Sequence, residues 1–334
     1  MLPEQCSGSE YPVWRPPLAQ PAVTPFADDA ARPIHAVSPL TLRTADRLTD
    51  LQVRVSGPGH GSSLPTILLS HGHGPSNYVS SLHGYSPLAD YYAAHGFVVV
   101  QPTHLDSATL GFRDLDHPEA PLFWRSRAAD LRRIIDQLDV VEAALPWLDG
   151  LDRTSIAVVG HSMGGHTASL VLGATTIDPT DGNRVDVRDD RIRAGVLLAA
   201  PGRGGAAINP VAAQQWPVFS TTDFSTMNMP ALVVAGDNDA SEHLTTAGPS
   251  WFADAHHLSP GPTTLLTLHG AEHGLGGVAG YDLAETTDEN PDRVATINRL
   301  STAFIRSQLD PADPAWTDVT RSFEKQGRRI GQLS

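Results

Sequence analysis

Hydrophobic residues along the chain fall into short apolar runs, separated by longer segments with helical spacing. Runs without polar interruptions are typical of strands buried on both faces of a sheet. Five such runs predict strands, at residues 66–70, 97–100, 155–159, 194–199 and 231–235, and the Thr- and Leu-containing segment 263–268 predicts a last strand. Residues 50–55 alternate polar and apolar positions, which predicts a half-exposed strand ahead of them. Helical spacing and helix-ending signals predict helices over residues 87–95, 124–148, 166–172 and 293–309.

This alternation of strands and helices predicts a single-domain α/β fold, with a mostly parallel, twisted sheet and helices on both faces. We expect the domain to span residues 50–309, preceded by an irregular arm over residues 1–49 that is rich in Pro, Ala and Asp. Residues 310–334 are expected to form a tail with a terminal helix that docks on the body or on a second subunit. Residues 176–190 are expected to be a solvated loop. The apolar side chains of residues 202–229 could cap a site or pack against the body, and the sequence leaves both open.

Composition narrows the classes of partner. The formal net charge of -14 argues against nucleic acid and anionic membrane surfaces, because both require basic patches. Cys6 is the single cysteine, so an internal disulfide and a cysteine-based metal site are both excluded. No apolar window reaches the roughly 18 residues that a membrane helix needs, and no signal peptide is recognisable. We therefore expect a cytoplasmic protein, without membrane insertion, that acts on a small molecule and could form a homo-oligomer.

One motif carries chemistry. Residues 160–165 read Gly-His-Ser-Met-Gly-Gly and fit the pattern G-x-S-x-G, with a predicted strand before them and a helix-like segment after them. This strand–turn–helix setting is required for a sharp turn that presents a serine nucleophile. Glycines at 160 and 164 avoid collisions beside the serine, and the following helix dipole favours a developing negative charge. Ser162 is therefore the candidate nucleophile.

A serine hydroxyl needs a general base to remove its proton. His161 is expected to point away from the serine at such a turn, so the base must come from elsewhere. In folds with this turn the chain order is serine, acid, histidine. His273 lies in a loop just after the last predicted strand and is the favoured base, whereas His269 is its competitor.

The acid is expected after the strand at residues 231–235, where the chain reads Gly236-Asp237-Asn238-Asp239. A carboxylate there would fix the histidine tautomer and stabilise the imidazolium. Asp237 and Asp239 are both candidates, and position in the fold does not separate them.

An oxyanion hole needs two preorganised N–H donors. The backbone N–H of Met163, directly after the serine, is one candidate. The N–H of His73 is the other, because the glycines around it let the backbone approach a substrate. His71 and His73 could alternatively be a metal pair, but two such histidines need further ligands that the sequence does not place. We therefore expect no metal.

At these residues the chain resembles the platelet-activating-factor acetylhydrolase and predicted dienelactone-hydrolase-like branch of the α/β hydrolases. The resemblance covers roughly residues 50–309. Its matching segments are 70–72, 96–99, 103–106, the arginine-rich segment 125–138, 160–165, 189–194, 236–239 and 272–273. The serine motif is shared by the whole superfamily, so it indicates the fold far better than the substrate.

The resemblance implies ester hydrolysis through a seryl acyl-enzyme, with no cofactor and with acetyl or short acyl groups. The apolar side chains of residues 202–229 add the expectation of a small to medium, mostly apolar ester. Related hydrolases place the acid three residues after a strand-ending glycine, which favours Asp239. Asp237 directly follows that glycine, where short polar residues commonly close a turn. The chain departs from true dienelactone hydrolases, which use cysteine where it has Ser162, and from haloalkane dehalogenases, which use a carboxylate. Polyester hydrolases share the layout but are secreted and usually carry disulfides.

Two other classes compete with an esterase. A lactonase, amidase or polyester hydrolase would use the same residues on a different bond. A binding protein on an inactive hydrolase fold is less favoured, because every part of the catalytic machinery is present in the sequence.

Overall fold

A mostly parallel sheet forms the centre of the protein in the computed structural model, which describes residues 31–326 and 329–334. The strands are β1 Ile34–Leu42, β2 Leu51–Pro58, β3 Ser62–Ser70, β4 Val98–Pro102, β5 Asp149–His161, β6 Thr175–Ile177, β7 Arg184–Asp186, β8 Ile192–Leu198, β9 Ala231–Gly236, β10 Thr263–Leu268 and β11 Gly331–Leu333. The helices are α1 Ser86–Ala94, α2 Trp124–Asp136, α3 Leu138–Ala143, α4 Met163–Val171, α5 Pro210–Gln215, α6 Asp254–Leu258, α7 Pro291–Leu309 and α8 Ala315–Gln326. Short 3-10 helices cover Ala108–Leu110, Pro217–Thr221 and Gly248–Ala253.

The spatial order of the main sheet is β1-β2-β4-β3-β5-β8-β9-β10-β11. Neighbours from β4 to β10 pair in parallel, whereas β1, β2 and β11 join antiparallel at the two sides. The carboxyl ends of the parallel strands therefore share one edge of the sheet, where open α/β sheets bind ligands. The loops after β3, β5, β9 and β10 all leave from that edge.

Burial explains the continuous apolar runs. Every residue of β4 and β9 is buried, because helices cover both faces of the sheet. On one side α1 packs against α7, and elsewhere α2 packs against α4. The predicted α/β fold is confirmed, and residues 31–334 form one compact unit.

The expectation of an irregular arm is wrong for residues 34–42, which form β1. Ile34, Val37 and Leu40 pack on the core at a spacing of three, and the pairing register shifts between Val37 and Leu40. Such an irregularity hides the period of two that identifies a strand. Residues 1–30, including Cys6, lie outside the described residues, so the arm stays a prediction there.

Two further segments differ from the expectation. The helix predicted over 124–148 is interrupted at Gln137, whose φ of -118° and ψ of 27° end α2 before α3 begins. Both helices bury the same side, so the apolar spacing continues through the break. The predicted loop at residues 176–190 contains the hairpin β6–β7, whose three-residue strands are too short and polar to show alternation.

The tail and the candidate cap both belong to the body. α8 contacts α7 through the rings of Trp316 and Phe304, and β11 then adds an edge strand to β10 that the sequence did not indicate. In the segment 202–229, Phe224 is buried away from the cavity described below, whereas Trp216 and Phe219 line it. Both readings of that segment therefore hold in part.

Among the helices of the described residues, none combines the length and the apolar character needed to cross a bilayer.

Candidate active site

Ser162 occupies a strained turn between β5 and α4. Its φ of 54° and ψ of -120° lie outside the regions that side chains ordinarily adopt. Gly160 and Gly164 make this turn possible, because a Cβ at either position would come within 2.0 Å of a backbone carbonyl oxygen. The turn therefore presents the serine hydroxyl at the carboxyl end of β5.

The structure brings three of the predicted residues into one hydrogen-bonded chain. The Oγ of Ser162 lies 2.8 Å from Nε2 of His273, and the Nδ1 of His273 lies 2.7 Å from Oδ2 of Asp239. The carboxylate of Asp239 is fully buried, and its other oxygen accepts a hydrogen bond from Ser241 at 2.5 Å. A carboxylate so placed fixes the tautomer with Nδ1–H and leaves Nε2 free to accept the serine proton.

The two competing residues form a separate pair. His269 Nδ1 lies 3.0 Å from Oδ2 of Asp237, whose other oxygen accepts from the N–H of Gly270 at 2.6 Å. Burial acts to raise the pKa of Asp237, but the hydrogen bond to His269 and its charge outweigh this and hold the pKa below its usual range. Neither residue has a hydrogen bond to Ser162 among the described residues. His269, the alternative base, and Asp237, the alternative acid, instead bond to each other.

The two candidate oxyanion donors lie beside the serine. His73 and Met163 line the same cavity as Ser162, and Met163 is the first residue of α4. No backbone hydrogen bond among the described residues uses either N–H group. Both donors are thus available to a ligand, and the helix N-terminus adds a favourable partial charge.

A buried guanidinium holds the oxyanion loop, residues 71–76. Arg127 is fully buried and donates to the carbonyl oxygen of His71 and, at 2.5 Å, to Asp106. Asp106 in turn lies 2.8 Å from Nδ1 of His73. Burial acts to raise the pKa of Asp106, but the charge of Arg127 dominates and the pKa lies far below its usual range. Arg127 thereby fixes the loop that carries one of the two candidate oxyanion donors.

His71 and His73, considered above as a metal pair, are used differently. His71 Nδ1 lies 2.8 Å from the carbonyl oxygen of Gly72, and its Nε2 accepts from the N–H of His104 at 3.2 Å. Burial and the charge of Arg127 lower the pKa of His71 well below its usual range, so the ring is neutral.

Arg127 was not identified from the sequence as a residue of the site. A charged residue on the apolar face of a predicted helix was a signal that could have identified it.

A second missed feature is a chain of hydrogen bonds through His161. The Nε2 of His161 lies 2.8 Å from the carbonyl oxygen of His273, and its Nδ1 lies 2.8 Å from the hydroxyl of Tyr85. That hydroxyl accepts from the N–H of Gly72 at 2.9 Å. The chain therefore connects the oxyanion loop to the loop that carries His273.

The protonation state of this chain follows from its burial. Burial lowers the pKa of His161 to about 3, so the ring is neutral. Its single proton must lie on Nε2, which faces a carbonyl oxygen, and Nδ1 accepts from Tyr85. His161 has no hydrogen bond to Ser162 among the described residues, and its side chain instead lies between Tyr85 and the loop of His273, in the wall of the cavity beside Ser162.

A cavity of about 310 Å³ opens beside Ser162. Most of its wall is apolar, as is typical of small-molecule sites. Its apolar lining residues are Pro75, Val79, Leu122, Met163, Pro201, Trp216, Phe219, Leu244 and Ala279. The geometry thus combines a serine hydrogen-bonded to a histidine, two backbone N–H groups without a partner among the described residues, and an apolar cavity.

Comparison with known families agrees with this geometry. The sequence model of the alpha/beta hydrolase family matches residues 67–329. That range is most of the chain, and the chain belongs to the alpha/beta hydrolase family. This membership defines the protein as a hydrolase. No curated protein matches the chain as a close relative.

Proposed function

We propose that this protein is a serine esterase that hydrolyses small to medium, mostly apolar carboxylic esters. The observation that carries the proposal is the hydrogen-bonded chain Asp239–His273–Ser162, with its serine on a strained turn beside the cavity. The resemblance to the acetylhydrolase branch supports a short acyl group. No step of the reaction calls for a metal or cofactor.

In the proposed mechanism, His273 removes the proton of Ser162 as Oγ attacks the ester carbonyl carbon. The N–H groups of His73 and Met163 stabilise the oxyanion of the tetrahedral intermediate. His273 then donates its proton to the leaving alcohol, and an acyl-enzyme remains on Ser162. Water activated by His273 releases the acid and restores the serine. Asp239 holds the imidazole in the required tautomer throughout.

Two contacts support the positioning of this machinery. Arg127 and Asp106 bond to His71 and His73 of the oxyanion loop. The chain through Tyr85 and His161 connects the same loop to the loop that carries His273. We infer that these are positioning residues, because neither pair needs to touch the reacting atoms. Buried hydrogen bonds of this kind hold catalytic groups close to the geometry that the reaction needs.

A fluorophosphonate probe tests the nucleophile directly. We expect labelling of the wild-type protein at Ser162, confirmed by peptide mass spectrometry, and none in Ser162→Ala. Ser169, a buried serine further along α4, provides the control, since Ser169→Ala should still be labelled at Ser162. Failure of the folded wild-type protein to react would favour a binding protein over an enzyme.

A panel of p-nitrophenyl esters of graded acyl length tests the substrate class. We expect kcat/KM to be highest for short acyl groups, because the cavity is small. Faster hydrolysis of long-chain esters would contradict the proposed class. Parallel assays with a lactone and an anilide separate esterase activity from the lactonase and amidase alternatives.

A further inference from the structure

Glu285 is a carboxylate in the wall of the cavity that contains Ser162. Its Oε1 accepts a hydrogen bond from the backbone N–H of Ser76 at 2.8 Å, which connects the segment after His273 to the oxyanion loop. Its Oε2 is buried, yet it has no hydrogen-bond partner among the described residues. Buried acceptors are ordinarily paired, so this oxygen lacks a donor, and a ligand in the cavity could supply one once the carboxylate turns toward the cavity that Glu285 lines.

The charge of Glu285 is also unbalanced. Burial acts to raise its pKa, but the hydrogen bonds from Ser76 outweigh this and hold the pKa below its usual range. The side chain is therefore ionised near neutral pH. No lysine or arginine lines the cavity, and no cation among the described residues forms an ion pair with Glu285. A partly desolvated charge without a partner favours a cationic ligand and disfavours an anionic one.

We propose that Glu285 binds a protonated amine of the substrate, so that the enzyme prefers esters with an ammonium group to neutral and carboxylate-bearing isosteres. This inference rests on the proposed esterase function and names its substrate class more closely. An ammonium N–H would donate to Oε2 and balance the charge, while the apolar walls at Val79, Leu122 and Phe219 would accept the hydrocarbon part. The substrate thus stays mostly apolar, with a single cationic end.

Two sets of isosteric esters test the proposal. The first varies the alcohol, as (dimethylammonio)ethyl acetate, isoamyl acetate and acetoxypropanoate. The second varies the acyl group, as methyl dimethylglycinate, methyl isovalerate and monomethyl malonate. For each ester, kcat/KM is measured by pH-stat near neutral pH for the wild type and for Glu285→Gln. The ratio between the two proteins cancels the intrinsic reactivity of each ester.

Glu285→Gln is suited to this test because its amide oxygen can still accept from Ser76. We expect the variant to lose about tenfold or more in kcat/KM for the cationic ester of at least one set. The loss for the neutral esters should be much smaller than for the cationic ester, and the carboxylate esters should gain relative to the neutral esters. Glu289→Gln is the matched control, since Glu289 is an exposed acid in the same segment and does not line the cavity.

The outcomes separate this inference from the proposed function. Equal wild-type to variant ratios for all three esters in both sets would overturn the cation preference and leave Glu285 as a clamp on the oxyanion loop. Hydrolysis of the neutral esters, abolished in Ser162→Ala, would in that case still support the esterase. If Ser162→Ala retained full activity, the proposed function itself would fail.

Discussion

Two aspartate–histidine pairs connect the loops after β9 and β10, and they differ in burial and in reach. Asp239 is fully buried and His273 extends to Ser162, whereas the side chains of Asp237 and His269 are 43% and 44% exposed. The same residue types on the same two loops thus make one pair that contacts Ser162 and one pair at the surface. Residue type does not distinguish the two pairs. They differ in the burial of the aspartate and in the position of the histidine relative to Ser162.

The largest expected effect separates the two histidines. We expect Ser162→Ala and His273→Ala each to lower kcat by on the order of 10⁴ or more, because the members of such a triad act as a unit. His269→Ala should retain near-wild-type kcat, since among the described residues its ring is hydrogen-bonded to Asp237 and not to Ser162. Ester hydrolysis with purified variants measures this, and thermal melts show that each variant is folded. Full activity in His273→Ala would contradict the assignment.

The next comparison separates the two acids. Asp239→Asn should lower kcat by up to roughly 10⁴, because the amide disturbs the tautomer of His273 and no longer stabilises its charged form. Asp237→Asn should leave kcat nearly unchanged. The two kinetic constants, measured side by side, decide between them. A larger loss in Asp237→Asn would transfer the role to Asp237.

A smaller effect is expected where the His273 loop is linked to the oxyanion loop. Tyr85→Phe leaves the N–H of Gly72 and the Nδ1 of His161 without partners, which should lower stability by about 1–3 kcal/mol. It should also lower kcat by on the order of tenfold through displaced donors. Chemical denaturation and ester kinetics measure both. Tyr78→Phe, at an exposed tyrosine, is the control, and equal behaviour of the two variants would refute the link.

The smallest effect concerns the exposed pair and pH. The pKa of Asp237 is lowered in the folded state, so the pair stabilises the protein above the unfolded pKa of about 3.9 and loses this contribution as the pH falls through the folded pKa. Because both side chains are exposed, we expect no more than about 1 kcal/mol. The difference in Tm between wild type and Asp237→Asn should be present near neutral pH and shrink in acid. A Tm difference that grows in acid would show that the pair does not stabilise the protein through an ionised Asp237.

Strands with continuous apolar runs were the most predictable part of the fold. The run at residues 231–235 lies within β9, because strands buried on both faces tolerate little polarity. The segment 263–268 has the bounds of β10 although half of its residues are threonine, a residue that strands favour. β1 was missed since a register shift breaks its period, and β11 since three residues carry no period at all. Edge and irregular elements depend on partners that are distant in sequence.

The residues of the candidate site also differ in how well the sequence predicts them. Ser162 could be located from its local turn, and His273 from its position after the last strand, so their proximity follows from the order of strands in the sheet. Their catalytic roles stay predictions. Arg127 was missed, although its position on the apolar face of a predicted helix was a signal, whereas Tyr85 and Glu285 could not be located because each acts through a contact with a residue far along the chain. No local pattern encodes which backbone group a buried side chain will reach.

Arg127 has a consequence for how the oxyanion loop moves. A buried guanidinium that lost its acceptors would be left as an uncompensated charge, so release of His71 or Asp106 by a local fluctuation is strongly disfavoured. Local opening would have to expose α2 together with the loop, and it therefore approaches the free energy of global unfolding. Although residues 71–76 have no regular secondary structure, the amide of Gly72, bonded to Tyr85, should exchange its hydrogen as slowly as amides in the central strands.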